Sequence, residues 1–243
     1  MEFHVYENAR AACEAAGVLI AAQITRKGDS VLGLATGSTP IPAYEMLTQW
    51  YDRGVIDFDR VRTFNLDEYV GINHKNPLSY HAFMQEHLFS KVNLRPENVH
   101  LPSGNGAADA EAYDKAIHDA GGIDIQLLGI GRNGHIGFNE PDSCFACGTH
   151  QVTLTESTIA ANTRFFENEA QVPRQAYSMG MQAIMQAKRV LLIASGADNK
   201  SVQDFMGHAT ASFTLNVYAH TSEQMMKDTA ARTQSYYEKL KKA

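Results

Sequence analysis

Four short runs rich in Val, Ile and Leu punctuate the chain: SVLGLAT (30–36), RVRTFN (60–65), IDIQLLGIG (123–131) and RVLLIAS (189–195). A strand wetted on one face alternates apolar with polar residues, whereas the apolar stretches within these runs are continuous, the pattern of strands buried on both faces. Burial on both faces needs helices above and below a parallel sheet, and each parallel pair needs a crossover long enough to hold a helix. Helical patterns stand between the runs at 10–25, 42–54, 79–89, 107–120 and 180–188, each bounded by Gly, Pro or Asn. The expected fold is therefore α/β: an open, mostly parallel, Rossmann-like sheet with helices on both faces. There is no internal repeat, low-complexity tract or evident linker before residue 196, so residues 1–195 read as one α/β domain and 196–243 as an atypical C-terminal segment.

With 243 residues, 44% of them hydrophobic, the chain can build a full core. A net charge of -6 argues against a protein that coats nucleic acid or an anionic membrane, so no nucleic-acid partner is expected and an anionic substrate needs a dedicated pocket. No apolar run reaches the roughly 18–20 residues that span a bilayer. The stretch AACEAAGVLIAAQI carries Glu14 and follows Glu2 and Glu7 instead of a basic leader, so it reads as an amphipathic helix and the protein as cytoplasmic. Cys13, Cys144 and Cys147 make an odd set without a disulfide framework, which suits a reducing compartment. Cys144 and Cys147 form a C-x-x-C near His150 but lack further local ligands; incidental thiols and no metal are expected.

Ligands of open α/β sheets bind beyond the carboxyl ends of the strands, and three of the four runs end there in polar or glycine-bearing sequence. After the first comes ATGSTPIPAY (35–44), where Gly37 allows close backbone approach, Ser38 and Thr39 add hydroxyls, and Pro40 or Pro42 opens a helix whose N-terminal N–H groups suit phosphate. The bland alternative is a strand-to-helix turn with a serine cap. The second run delivers FNLDEYVG (64–71), with the adjacent carboxylates Asp67 and Glu68. Sequence neighbours seldom share a direction, so one at most faces a pocket, where a raised pKa would suit it to removing a proton beside a carbonyl. The third is GIGRNGHIGFNEPD (129–142): Gly129, Gly131 and Gly134 permit a tight turn, His135 can shuttle a proton, and Glu140 or Asn133 can orient it. Further on, Arg164 in ANTRFFEN can clamp a phosphate bidentately or make a surface ion pair.

These pieces in order, LATGSTP, FNLDEYVG, GIGRNGHIGFNEP and TIAANTRFFEN, closely resemble glucosamine-6-phosphate deaminases over residues 1 to about 196. The sister 6-phosphogluconolactonases share the sheet and a version of the first loop, but the later motifs fit the deaminases better. The resemblance implies a substrate phosphate on Gly37, Ser38 and Thr39 with help from Arg164, Asp67 as the base moving a proton between C1 and C2, and His135, partnered by Glu140, assisting opening of the pyranose ring. Many members carry an aspartate at Asn133, where an amide can still orient the histidine. The implied reaction is hydrolytic, glucosamine 6-phosphate plus water giving fructose 6-phosphate and ammonia, with a small-molecule sugar phosphate as partner and no metal or organic cofactor. Hexamers occur among such enzymes, so a homo-oligomer is one option.

Past Ser195 the likeness fails. Lys200 falls one residue late for the lysine that helps hold the phosphate in the family. The tail instead resembles the C-terminal end of tyrosine recombinases, with a Gly207–His208 pair before a Tyr218-x-His220. The catalytic arginines of that family have no counterpart, so no strand transfer is expected of Tyr218. The alternative is that FTLNVYAH makes the final strand of the sheet; a hybrid chain would otherwise lose its closing strand and expose an edge.

Overall fold

The structure, a computed structural model, describes residues 2–104, 106–131, 134–140, 142–163, 166, 168, 171–195 and 215–220. Asn133, Arg164 and Lys200 of the expected site, and Gly207 and His208 of the tail, lie outside the described residues.

The first strand, β1 (Glu2–Tyr6), leads into α1 (Ala9–Arg26), whose start is capped by the Asn8 side chain accepting from the Ala11 N–H at 2.9 Å. Then follow β2 (Val31–Leu34), α2 (Ile41–Asp52), β3 (Arg62–Asn65), the short β4 (Asp67–Tyr69), α3 (Tyr80–His87), β5 (Val99–His100), α4 (Ala107–Asp119) and β6 (Ile125–Gly129). The chain continues through β7 (His150–Thr153), α5 (Glu156–Asn162), β8 (Gln175–Ser178), α6 (Met181–Gln186), β9 (Val190–Ser195) and β10 (Leu215–His220).

Seven strands form one sheet in the order β1-β10-β9-β6-β2-β3-β5, every neighbouring pair parallel. The four apolar runs are β2, β3, β6 and β9, which stand side by side within the sheet in the order β9-β6-β2-β3, and helices cover both faces as expected. On one face Leu32, Leu34, Leu127 and Ile193 pack with Ile20 of α1, Leu47 of α2 and Met84 of α3. On the other, Val31, Phe64, Leu128 and Leu192 pack with Tyr113 and Ile117 of α4 and Ile184 of α6. Gly17 brings α1 and α2 close together, since a Cβ there would lie 3.2 Å from the Ala43 carbonyl oxygen.

A second, antiparallel sheet of order β4-β8-β7 stands beside the first and was not visible in the sequence patterning. The C-terminal strand also has a definite place: β10 runs between β9 and β1, with Tyr218 in register with Ile193, so its backbone fills the position that a truncated sheet would leave open.

At the opposite edge of the sheet from the loops of interest, the buried Asp124 accepts from Lys27 Nζ (2.6 Å), Lys188 Nζ (2.7 Å) and the Val31 N–H (2.8 Å). Burial alone would raise this carboxyl, but the two lysines and the N–H together hold it below its ordinary value. Asp124→Ala is expected to lower stability by about 2–4 kcal/mol, because it strands two ammonium groups and a buried N–H at once. Urea unfolding at neutral pH checks this. For wild type the contribution should be lost only as acid titrates Asp124 through its lowered pKa.

Candidate active site

The chain builds β2, β3 and β5 outward in one direction and then returns to lay β6 on the other side of β2. At this reversal the loops leaving β2 and β6 diverge, opening the crevice in which open α/β sheets take their ligands. The loop after β2 holds Gly37, Ser38 and Thr39, and the loop after β6 holds His135 and Glu140.

Gly37 adopts φ +100, a left-handed conformation that an L side chain rarely takes, and a Cβ there would meet nothing within 4 Å. The serine cap does not form. Pro40 occupies the cap of α2 without a side-chain hydrogen bond, and Pro42 lies in the first turn. The loop is held from below, where the buried Tyr44 hydroxyl donates to the Ala35 carbonyl at 2.6 Å and the Cys13 thiol donates to the Thr39 carbonyl at 2.9 Å.

Asp67 and Glu68 separate as neighbours on a strand should. Glu68 is 1% exposed and turns to the start of α3, accepting N–H groups from Tyr69 (2.9 Å), Tyr80 (3.0 Å) and His81 (2.9 Å). That is an anchoring role. Asp67 is 7% exposed and has no such set of donors; Thr36 Oγ1 stands 3.5 Å from its Oδ1. Burial, reinforced by the charge of Glu68 and opposed by Thr36, raises Asp67 to about 7. A carboxylate so placed is half-ionised near neutrality and can both take and return a proton.

The loop after β6 reaches Asp67 from above. Gly137, at φ +59, approaches so closely that a Cβ there would lie 3.5 Å from Asp67 Oδ2 and 3.1 Å from Ser178 Oγ. Gly134, at φ +91, makes the turn, with its N–H donating to the Gly131 carbonyl at 3.0 Å. Gly131 has a different part from the tight turn expected of it: the His135 ring lies directly over its Cα, in the space a side chain would fill. His135 Nδ1 stands 3.9 Å from Glu140 Oε2, and Thr158 Oγ1, in the first turn of α5, donates to Glu140 Oε1 at 3.2 Å. Burial holds His135 below its ordinary value against the opposing pull of Glu140, so the imidazole is neutral at pH 7 and can accept a proton.

One positioning residue escaped the sequence reading. The buried Asn139 amide donates to the carbonyls of Ile136 (3.0 Å) and Met179 (2.9 Å) and to Ser178 Oγ (3.0 Å), stitching the His135–Glu140 loop to β8. In register, Ser178 faces Asp67 across β4 and β8, so the same strand end carries the base and the loop above it. Asn139→Ala should lower kcat by about 10–100-fold, since displacements of about 1 Å cost that much. The melting temperature should fall too, three bonds being lost; steady-state kinetics beside calorimetry checks both.

Arg164 is outside the described residues, but Phe166 two positions on packs edge-on against Tyr69 at 6.0 Å. Cys13 is a buried free thiol and Cys144 and Cys147 are exposed ones, and among the described residues no group of three His, Cys, Asp or Glu side chains could hold a metal ion. No described helix is long and apolar enough to cross a membrane. A cavity of about 770 Å³ lies elsewhere, along the edge strand β5, with neither Asp67 nor His135 in its lining.

Known proteins share this fold. A glucosamine-6-phosphate deaminase of Lachnoclostridium phytofermentans is 55% identical over 187 residues, which span 76% of this chain and 79% of that one. The solved structure of a monomeric glucosamine-6-phosphate deaminase superposes with a TM-score of 0.84 at 35% identity, over 93% of this chain and 99% of that one. A 6-phosphogluconolactonase from Thermotoga maritima, at 16% identity and TM-score 0.67 over 90% of this chain and 99% of that one, shares the fold. The profile of the glucosamine-6-phosphate isomerases/6-phosphogluconolactonase family matches residues 6–226, running through the sheet, both loops of the crevice and β10, and this chain belongs to that family.

Proposed function

We infer that the protein is a hydrolytic glucosamine-6-phosphate deaminase, converting glucosamine 6-phosphate and water to fructose 6-phosphate and ammonia in amino-sugar breakdown. The observation that carries this reading is Asp67, a buried carboxyl lifted to about 7, lying under a loop that presents the paired His135 and Glu140. Identities of 47–55% to curated deaminases support the same substrate.

In the proposed course, the substrate phosphate lies on the backbone and hydroxyls of Gly37, Ser38 and Thr39, with the Arg164 guanidinium and, less directly, Lys200 adding charge. Neutral His135 takes the proton from the C1 hydroxyl and a proton is returned to the ring oxygen, opening the pyranose; Glu140 and the Asn133 amide keep the imidazole oriented. Asp67 then removes the proton from C2 while the C1 carbonyl oxygen takes a proton from solvent, leaving an enolamine across C1 and C2, and Asp67 delivers its proton to C1. The resulting C2 iminium adds water and loses ammonia. Every step moves protons between oxygen, nitrogen and carbon, so acids and bases of the chain carry the reaction.

Residues 1–195 supply all the named groups except Lys200. Within 196–243, Leu215–His220 pair with β9 and β1, which supports a structural part for the backbone at Tyr218 and His220, whatever the origin of their recombinase-like spacing. Free thiols suit the reducing cytoplasm as its location. Asp67, His135 and Glu140 come from one protomer, so the chemistry does not need a second copy, and a homo-oligomer would be an addition to it.

Release of ammonia together with fructose 6-phosphate, measured beside hydrolysis of 6-phosphogluconolactone, tests the assignment. Equal yields of the first two with no lactone consumed support it; lactone hydrolysis without ammonia would overturn it.

A further inference from the structure

The cavity along β5 has the makings of a second ligand site. Among the described residues, strand β5 has a sheet neighbour on one side only, β3. Helix α3 approaches this edge from one face of the sheet and α4 from the other, and the cleft between them is about 770 Å³, within the range of small-molecule sites. Its apolar wall is Phe89, Leu94, Val99 and Tyr113. Its polar side brings together His74 and Lys75 from the loop after β4, His81 from α3 and His100 from β5.

These groups bring one lysine and three imidazoles to the cleft. The His81 Nδ1 atom is buried and finds no hydrogen-bond partner of good geometry. The His74 ring stands edge-on to it at 5.0 Å. His100 is stacked on Phe64 at 4.5 Å, so its ring is fixed rather than free to leave the cleft. Burial first, then the charge of His74, holds His81 below its ordinary value against an opposing backbone hydrogen bond to His74, and burial first, then the charge of Arg62, does the same for His100. An anion between them would favour the charged form of both. The one carboxylate in the lining, Asp109, is on α4, across the cleft from α3.

We propose that this cleft binds a small phosphate monoester, its phosphate between Lys75, His81 and His100 and its carbon skeleton on Phe89 and Leu94. The phosphate offers acceptors to three donors from three segments, and the apolar wall favours an ester over the bare ion. The cleft is separate from Gly37, Ser38 and Thr39 and does not depend on their role. It does share α3 with Glu68, which holds the His81 N–H, so a ligand here touches the element anchored beside Asp67.

The test follows the imidazole resonances of the full chain by NMR at slightly acid pH during titration with glycerol 3-phosphate, with His81 and His100 assigned through single His→Gln variants. Saturable shifts of both resonances with a millimolar midpoint are expected, weakened about two- to fivefold in Lys75→Ala, the loss of one exposed ionic contact. They should vanish for His100 in His81→Ala. Binding at the crevice loops is told apart by Lys75→Ala, since Lys75 lines this cleft and lies outside those loops. Absence of saturable shifts up to tens of millimolar would overturn the proposal, and so would shifts that persist unchanged in Lys75→Ala, a rim substitution that leaves the fold intact.

Discussion

Asp67→Asn should abolish ammonia release, with kcat down by at least about 10³-fold, and at the same time make the protein more stable. The two effects have one cause. Burial, with Glu68 adding to it, lifts the Asp67 carboxyl to about 7. A group whose folded pKa lies above its unfolded value favours folding fully below the unfolded value, near 4 for aspartate, and loses that contribution as pH rises through about 7. At pH 8 the wild type therefore holds a buried charge that asparagine does not. The variant's gain should grow between about pH 4 and 7 and level off above, at roughly 2–4 kcal/mol. Thermal melts of both proteins across this range would show it. A variant that is inactive but no more stable at pH 8 than at pH 4 would mean that Asp67 is ionised throughout and the pocket is wetter than its 7% exposure indicates.

Gly131→Ala is expected to be nearly as damaging to turnover while sparing the fold. A methyl group there would fall inside contact distance of three ring atoms of His135, so the imidazole must swing away from Glu140, 3.9 Å from it. The Gly131 N–H also donates to the His135 carbonyl at 2.9 Å, which ties the two backbones and limits how far the loop can yield. A drop of about 10²-fold in kcat with KM nearly unchanged follows if His135 acts on the bound sugar and does not hold it. The His135 titration curve, read by NMR, should shift as well, since both burial and the Glu140 partnership change. Wild-type kcat in this variant would remove His135 from the reaction.

The parallel sheet was legible because β2, β6 and β9 are buried on both faces and carry apolar sequence, broken in β6 only by the buried Gln126. The antiparallel sheet was not, since HQVT and QAYS are short, partly polar and paired across more than twenty residues of chain. That Asp67 and Glu68 could not both face the crevice followed from strand alternation. Which one did depended on α3, whose exposed N–H groups claimed Glu68. His135 and Glu140 stood out by their chemistry. Asn139 did not, because its worth lies in Ser178 and Met179, partners forty residues away that only the fold brings near. Ser38 looked like a helix cap, but Pro40 took that position and left the hydroxyl to the loop. The tail shows the same limit: FTLNVYAH has the residues of a strand, and the chain uses Leu215–His220 as one in the sheet.

The most direct test of the account is the pH dependence of kcat/KM for ammonia release from glucosamine 6-phosphate by the full chain. The rate should rise tenfold per pH unit in acid and level off near pH 7, where buried Asp67 ionises. A folded protein that releases no ammonia at any pH, or whose rate is already level at about pH 5, where an ordinary aspartate is ionised, would contradict it.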